Sequence, residues 1–140
     1  MRIEHVARWT RDAGSLDRLR AFYVTHFGAI AGAGYASARR PRFVSCFLRF
    51  PAVAHGRGAR LELMAVPGLA DAPAGEAVGW AHLALAVGTR ADVDACVARL
   101  AAAGVPIVGG PRETGDGYYE AAVRDPDGNL VEVMAEPTDG

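Results

Sequence analysis

The sequence predicts an α+β protein made of two βαβββ modules. Three observations predict it: two amphipathic helices, strand-length apolar segments set between Gly- and Pro-rich turns, and a repeat that relates the two halves. A chain of 140 residues, 51% hydrophobic, is long enough for one cored domain. We expect a single domain over 1–140, with modules at about 1–68 and 80–137 and a linker at 69–79.

The elements follow in order. Ile3 to Trp9 mixes apolar and polar residues with a period near two and is stopped by Asp12-Ala13-Gly14-Ser15, which predicts a strand and a helix entry capped by Ser15. Leu16, Leu19, Tyr23 and Phe27 then form one stripe at helical period, and Gly28 suits a left-handed C-terminal cap. Phe43–Phe50 and Ala59–Ala65 read as strands, separated by Pro51 and a turn at Gly56 to Gly58 that holds His55. The Pro-, Gly- and Ala-rich stretch from Leu69 to Gly79 reads as the linker, and Trp80–Val87 as a strand. Thr89 and Asp92 resemble a capping box before the stripe Val93, Val97 and Leu100, which ends at Gly104 ahead of Pro106. Tyr118–Val123 and Asn129–Ala135 alternate around the turn Asp125-Pro126-Asp127-Gly128.

The halves share landmarks in one order. His5 and His82 lie 77 residues apart, Gly28 and Gly104 76, and Glu62 and Glu132 70. The shorter last offset places about seven extra residues between the helix and the last strand of the first module.

Composition narrows the function classes. Lys+Arg 15 against Asp+Glu 16 gives a net charge of −1, and the basic residues form no stripe, so a nucleic-acid partner is not expected. Every basic residue is Arg, which removes Schiff-base and P-loop lysine chemistry. Cys46 and Cys96 are far apart and form no CxxC pair, which suits a reduced protein. Charge in Met1-Arg2-Ile3-Glu4-His5 and the lack of any run of ~20 apolar residues argue against a signal peptide or a membrane span, so a cytoplasmic protein is expected.

His5, Glu62, His82 and Glu132 are the imidazoles and carboxylates at matched places of the two modules, each read as lying mid-strand. A lone strand His or Glu is usually a surface residue. Here Glu62, His82 and Glu132 interrupt apolar strands, and an unpaired buried carboxylate costs several kcal/mol, which a metal ion offsets. Imidazole and carboxylate suit Zn, Ni, Co or Mn, with space left for water or substrate.

With these residues in view, the sequence resembles the vicinal oxygen chelate superfamily of glyoxalase I, bleomycin-resistance proteins, fosfomycin-resistance enzymes, methylmalonyl-CoA epimerase and extradiol dioxygenases. The likeness is carried by Ile3-Glu4-His5-Val6, Phe22-Tyr23, Phe27-Gly28, Leu61-Glu62-Leu63, Ala81-His82-Leu83-Ala84 and Asp125-Pro126-Asp127-Gly128-Asn129-Leu130-Val131-Glu132. The His, Glu, His, Glu order is most similar to glyoxalase I. The resemblance implies a U-shaped cup around one divalent ion, often completed by a second chain, and a homodimer is expected. It implies a lyase or isomerase that chelates adjacent substrate oxygens and shifts a proton through an enediolate, with Glu132 as base and Glu62 as the opposing carboxylate. Glutathione-using members hold that peptide with an Arg and an Asn at the places where this chain has Trp9 and Val66, so the metal site is implied without glutathione.

Further pocket candidates are Trp9 and Trp80, for stacking on a flat substrate, Tyr118 and Tyr119, for hydrogen bonding to a substrate oxygen, and Arg112, for an acidic group. His26 and His55 receive no role. The alternatives left open are a dioxygenase or epimerase of the same scaffold and a non-catalytic protein that sequesters a small ligand.

Overall fold

The computed structural model describes residues 1–51, 58–71 and 75–137. The expected turn residue His55 and Gly56 lie outside them. The chain divides into two compact units, Met1–Ala72 and Pro73–Gly140, and the division falls inside the segment 69–79.

The first unit runs β1 (His5–Thr10), α1 (Ala13–Phe27), β2 (Ile30–Ala31), β3 (Tyr35–Ala36), β4 (Val44–Arg49) and β5 (Arg60–Ala65). Its sheet has the order β1-β5-β4-β2, with β3 also on β4, and β1 lies parallel to β5. The second unit runs β6 (Leu83–Gly88), α2 (Arg90–Ala102), β7 (Ile107–Glu113), β8 (Tyr119–Arg124) and β9 (Leu130–Ala135), in the order β6-β9-β8-β7 with β6 parallel to β9. Both units are therefore βαβββ, the first having two two-residue strands where the second has β7.

One rule builds both cores. In β5 the odd positions Leu61, Leu63 and Ala65 are buried and face α1, whose Leu16, Leu19, Phe22 and Tyr23 are buried. Arg60, Glu62 and Met64 point to the other, half-open face. In β9, Val131, Val133 and Ala135 are buried with Val93, Cys96, Val97 and Leu100 of α2, while Leu130, Glu132 and Met134 occupy the open face. Each helix thus covers one face of its sheet, and each candidate carboxylate lies on the face it leaves bare.

Helix ends differ from expectation at one place. Asp12, not Ser15, caps α1: its carboxylate accepts from the Ser15 backbone N–H at 2.7 Å. Ser15 is buried inside the first turn, where its hydroxyl accepts from Arg18 at 2.8 Å. An acceptor on the residue directly before the first turn reaches a free N–H of that turn, which Ser15, already helical, cannot. The Thr89–Asp92 capping box of α2 forms as expected, and Gly28 closes α1 at φ 64°. Cys46 and Cys96, one per unit, are buried free thiols, and burial pushes both up from the ordinary thiol range.

Candidate metal centre

The two His–Glu pairs occupy the same register. In the first unit Ala7 faces Glu62 across the parallel ladder, and His5 lies two residues before Ala7. In the second, Ala84 faces Glu132, and His82 lies two residues before Ala84. Each imidazole is half-exposed, and each carboxylate is largely but not fully covered.

His5 Nε2 lies 3.9 Å from Glu62 Oε2, and His82 Nε2 lies 3.1 Å from Glu132 Oε2. Two donors about 2.1 Å from one ion, at angles between square and tetrahedral, are about 3.0–3.4 Å apart. The second pair falls inside that bite, and the first is wider by about half an ångström. Each pair presents one imidazole nitrogen and one carboxylate oxygen, a donor set suited to a borderline divalent ion. Among the described residues, neither unit by itself gathers three or more His, Cys, Asp or Glu side chains into a group that could hold a metal.

The histidines are not mid-strand, as the sequence reading has them. His5 is the first residue of β1, and His82 precedes β6, because the parallel ladder of the second unit begins at Leu83 opposite Val131. Glu62 and Glu132 are third in their six-residue strands.

A partner of His5 escapes the sequence reading. Glu4 Oε2 lies 2.5 Å from His5 Nδ1, so Nδ1 donates to the carboxylate and Nε2 is the nitrogen turned toward Glu62. Glu4 is anchored by Arg60, whose guanidinium meets Oε1 at 2.5 Å and lies 4.1 Å over the Phe47 ring. Phe47 in turn meets the His5 ring edge-on at 5.4 Å. The Arg60 Nε is buried without a hydrogen-bond partner. Strand alternation would send adjacent residues to opposite faces, but Glu4 precedes β1, joins β5 only through its carbonyl, which accepts from the Arg60 N–H at 3.0 Å, and its side chain turns toward its neighbour. The second unit has Ala81 and Leu130 at the matching places, so its imidazole lacks this support.

Glu132 sits in a different field. Burial raises its pKa from the ordinary carboxylate value, with Glu120 adding to the rise and His82 and Arg112 opposing it. Arg112 is not a lone cation, since it pairs with Glu120 at 3.2 Å. The other pocket candidates separate. Trp9 stands on the His5 face of β1, about two-fifths exposed and edge-on to Phe43 at 6.0 Å. Tyr118 is exposed just before β8. Trp80 is 90% exposed and lies outside the strand predicted to contain it. Tyr119 turns to the helix face, where its hydroxyl donates to Asp94 of α2 at 2.7 Å, because it shares the parity of buried Ala121 and Val123. That places it on the side of the sheet opposite Glu132.

The profile of the Glyoxalase/Bleomycin resistance protein/Dioxygenase superfamily matches residues 2–133. The chain belongs to that superfamily. Among solved structures, the glyoxylase/bleomycin resistance protein/dioxygenase domain from Frankia sp. EAN1pec is 22% identical, with TM-score 0.78 over 98% of each chain. Glyoxalase I from Zea mays is 22% identical with TM-score 0.72 over 98% of this chain, which spans 45% of that protein. A mutant of the fosfomycin resistance protein FosX from Listeria monocytogenes, complexed with Mn(II) and a dihydroxypropylphosphonic acid, is 18% identical with TM-score 0.67, over 96% of this chain and 92% of that one. Likeness at these identities is likeness of fold. No curated protein matches the chain in sequence. The FosX complex carries Mn(II) on this fold. Among the described residues, no helix is long and apolar enough to cross a membrane.

Proposed function

We propose that this chain is a metal-dependent, glyoxalase-like lyase or isomerase in which His5, Glu62, His82 and Glu132 together hold one divalent ion. One observation carries the reading: each unit sets its His–Glu pair at the same register on the uncovered face of its sheet. Two half-sites of two donors each make a four-donor set of two imidazoles and two carboxylates. Zn, Ni, Co and Mn accept that set, and the Mn(II) of FosX is one precedent on the same fold. When bound, the ion supplies Lewis-acid polarisation of two adjacent substrate oxygens.

The chain's own residues do the rest. Glu132, whose burial raises its proton affinity, takes the proton from the substrate carbon and returns it to the neighbouring carbon. Glu62 is the opposing carboxylate. Glu4 and Arg60 hold the His5 ring in one orientation, which keeps Nε2 available. Trp9, Tyr118 and the Arg112–Glu120 pair border the substrate. The two modules act as one domain over 1–140 with 69–79 as its linker, two copies form a homodimer, and the setting is cytoplasmic.

The experiment is metal analysis of protein purified without a metal-affinity tag, followed by proton exchange in D2O on hemithioacetals of small 2-oxoaldehydes with several thiols. The reading predicts metal-dependent deuterium incorporation at the substrate carbon. Dioxygen consumption in its place would assign a dioxygenase, and tight substrate binding with no exchange would assign a sequestering protein.

A further inference from the structure

On the open face of the first sheet, Trp9 follows His5 and Ala7 along β1 and faces Met64 of β5. The Arg40 guanidinium carbon lies 5.2 Å from the centre of the Trp9 ring and 5.5 Å from that of Phe43. The two rings stand nearly perpendicular to each other, and the cation–π attraction that holds a guanidinium between them uses none of its N–H groups as donors to oxygen. Among the described residues, no carboxylate pairs with Arg40, and its side chain makes no hydrogen bond. The surface offers acids elsewhere, and other arginines take them: Arg60 takes Glu4, Arg90 takes Glu113 and Arg112 takes Glu120.

The backbone holds Arg40 in this place. The Phe43 N–H donates to the Arg40 carbonyl at 3.1 Å, closing a turn with Pro41 at its second position and Arg42 at its third. Pro41 fixes φ near −65° and Arg42 has φ 61°, so the turn is type II. The third position of such a turn normally takes Gly, and Arg42 is the one non-Gly residue with positive φ among the described residues. The Ser37 hydroxyl accepts from the backbone N–H groups of Arg39 and Arg40 at 3.2 and 3.0 Å, which ties down the approach to the turn.

We propose that Arg40, backed by Trp9 and Phe43, is a binding subsite for a carboxylate carried on an apolar or aromatic body. A rigid fork with free in-plane donors suits the two oxygens of a carboxylate, and the rings at its side suit the attached hydrocarbon. Trp9 is two residues beyond Ala7, the residue opposite Glu62, so at ~3.3 Å per residue the subsite lies ~7 Å along the strand from the candidate metal ligand. Resting on the metal reading above, this assigns the substrate class: a carboxylate whose anionic end lies about two strand residues from its reacting oxygens.

The test separates this inference from the metal. In a Trp80→Phe background Trp9 is the only tryptophan, and its fluorescence is followed while benzoate, benzamide and phenylphosphonate are titrated into EDTA-treated protein. The expected result is saturable binding of benzoate without metal, with benzamide at least tenfold weaker. Arg40→Gln should weaken benzoate at least tenfold, with Arg40→Lys in between, because an ammonium keeps the charge but loses the fork. Unchanged circular dichroism would show that both variants fold. Equal binding of benzoate and benzamide, or full binding by Arg40→Gln, would overturn the subsite. Tighter binding of phenylphosphonate would overturn the assignment to a carboxylate. Benzoate binding that appears only on metal addition and ignores Arg40 would overturn the subsite while supporting the ion. Arg40-dependent binding by a protein that never takes up metal would support the subsite while contradicting the metal reading.

Discussion

Glu4 and Glu132 act on the same proposed centre by different means. Glu4 touches His5 Nδ1 and orients the ring, so its loss should weaken the ion's hold without altering the proton-transfer group. Removing a carboxylate behind a ligating imidazole typically lowers metal affinity about 10–100-fold. Glu4→Ala should show that loss in competition with a chromophoric chelator, with Glu4→Gln retaining more of the affinity. Affinity unchanged in both would leave Glu4 as a surface residue. Glu132→Gln keeps an oxygen that can coordinate but cannot accept the substrate proton at neutral pH. A general base contributes about 10²–10⁴-fold, so kcat should fall at least tenfold further in Glu132→Gln than in Glu62→Gln. Equal losses would make the two carboxylates interchangeable.

At the level of the element, the capping box of α2 carries a pH signature. The Asp92 carboxylate accepts from the Thr89 hydroxyl and backbone N–H at 2.6 and 2.8 Å, and these bonds hold its pKa below the ordinary aspartate value. A lowered folded-state pKa contributes stability that is present above the unfolded value and is lost as pH falls through the folded one. Thermal unfolding should therefore show a loss of stability on acidification below about pH 4, the unfolded aspartate range, that is smaller in Asp92→Asn. Identical pH profiles would contradict this. Gly88 belongs to the same device, since its φ is 123° and a Cβ there would lie 2.7 Å from the Asp92 carboxylate. Leu63, fully buried beneath α1, sets the scale of the first core, and Leu63→Ala should cost about 2–5 kcal/mol by denaturant titration.

These elements show why some features were legible in the sequence. Thr89-x-x-Asp92 and Gly28 are local chemistry, so the second helix start and the first helix stop can be read directly. The alternation in Leu61-Glu62-Leu63 and Val131-Glu132-Val133 likewise identifies which residues face away from the helix. The missed strands β2 and β3 have two residues each, too short for any period. The strand beginning of β7 hides in Ile107–Glu113, where two glycines and a proline mask a ladder whose register shifts twice. Glu4 was missed because its contact arises just before β1, outside the strand's alternation, and Tyr119, in phase with buried Ala121 and Val123, meets Asp94 of α2 through a contact distant in sequence.

For the whole molecule, repetition is the organising fact. Two βαβββ units, each with a parallel first-and-last strand pair and a helix over one face, offer one His–Glu pair apiece. The proposed homodimer should appear as twice the 14.7 kDa chain mass in light scattering at ~10 µM, a working range for a stable interface. A monomer at that concentration would contradict it. In the proposed centre the two pairs serve one ion. Its most direct test is metal stoichiometry by equilibrium dialysis of the parent, His5→Ala and His82→Ala. We expect one ion per chain in the parent and a large loss of affinity in each variant, because either substitution removes one of four shared ligands. Two ions per chain, or one variant binding as the parent does, would show that the pairs do not share a centre.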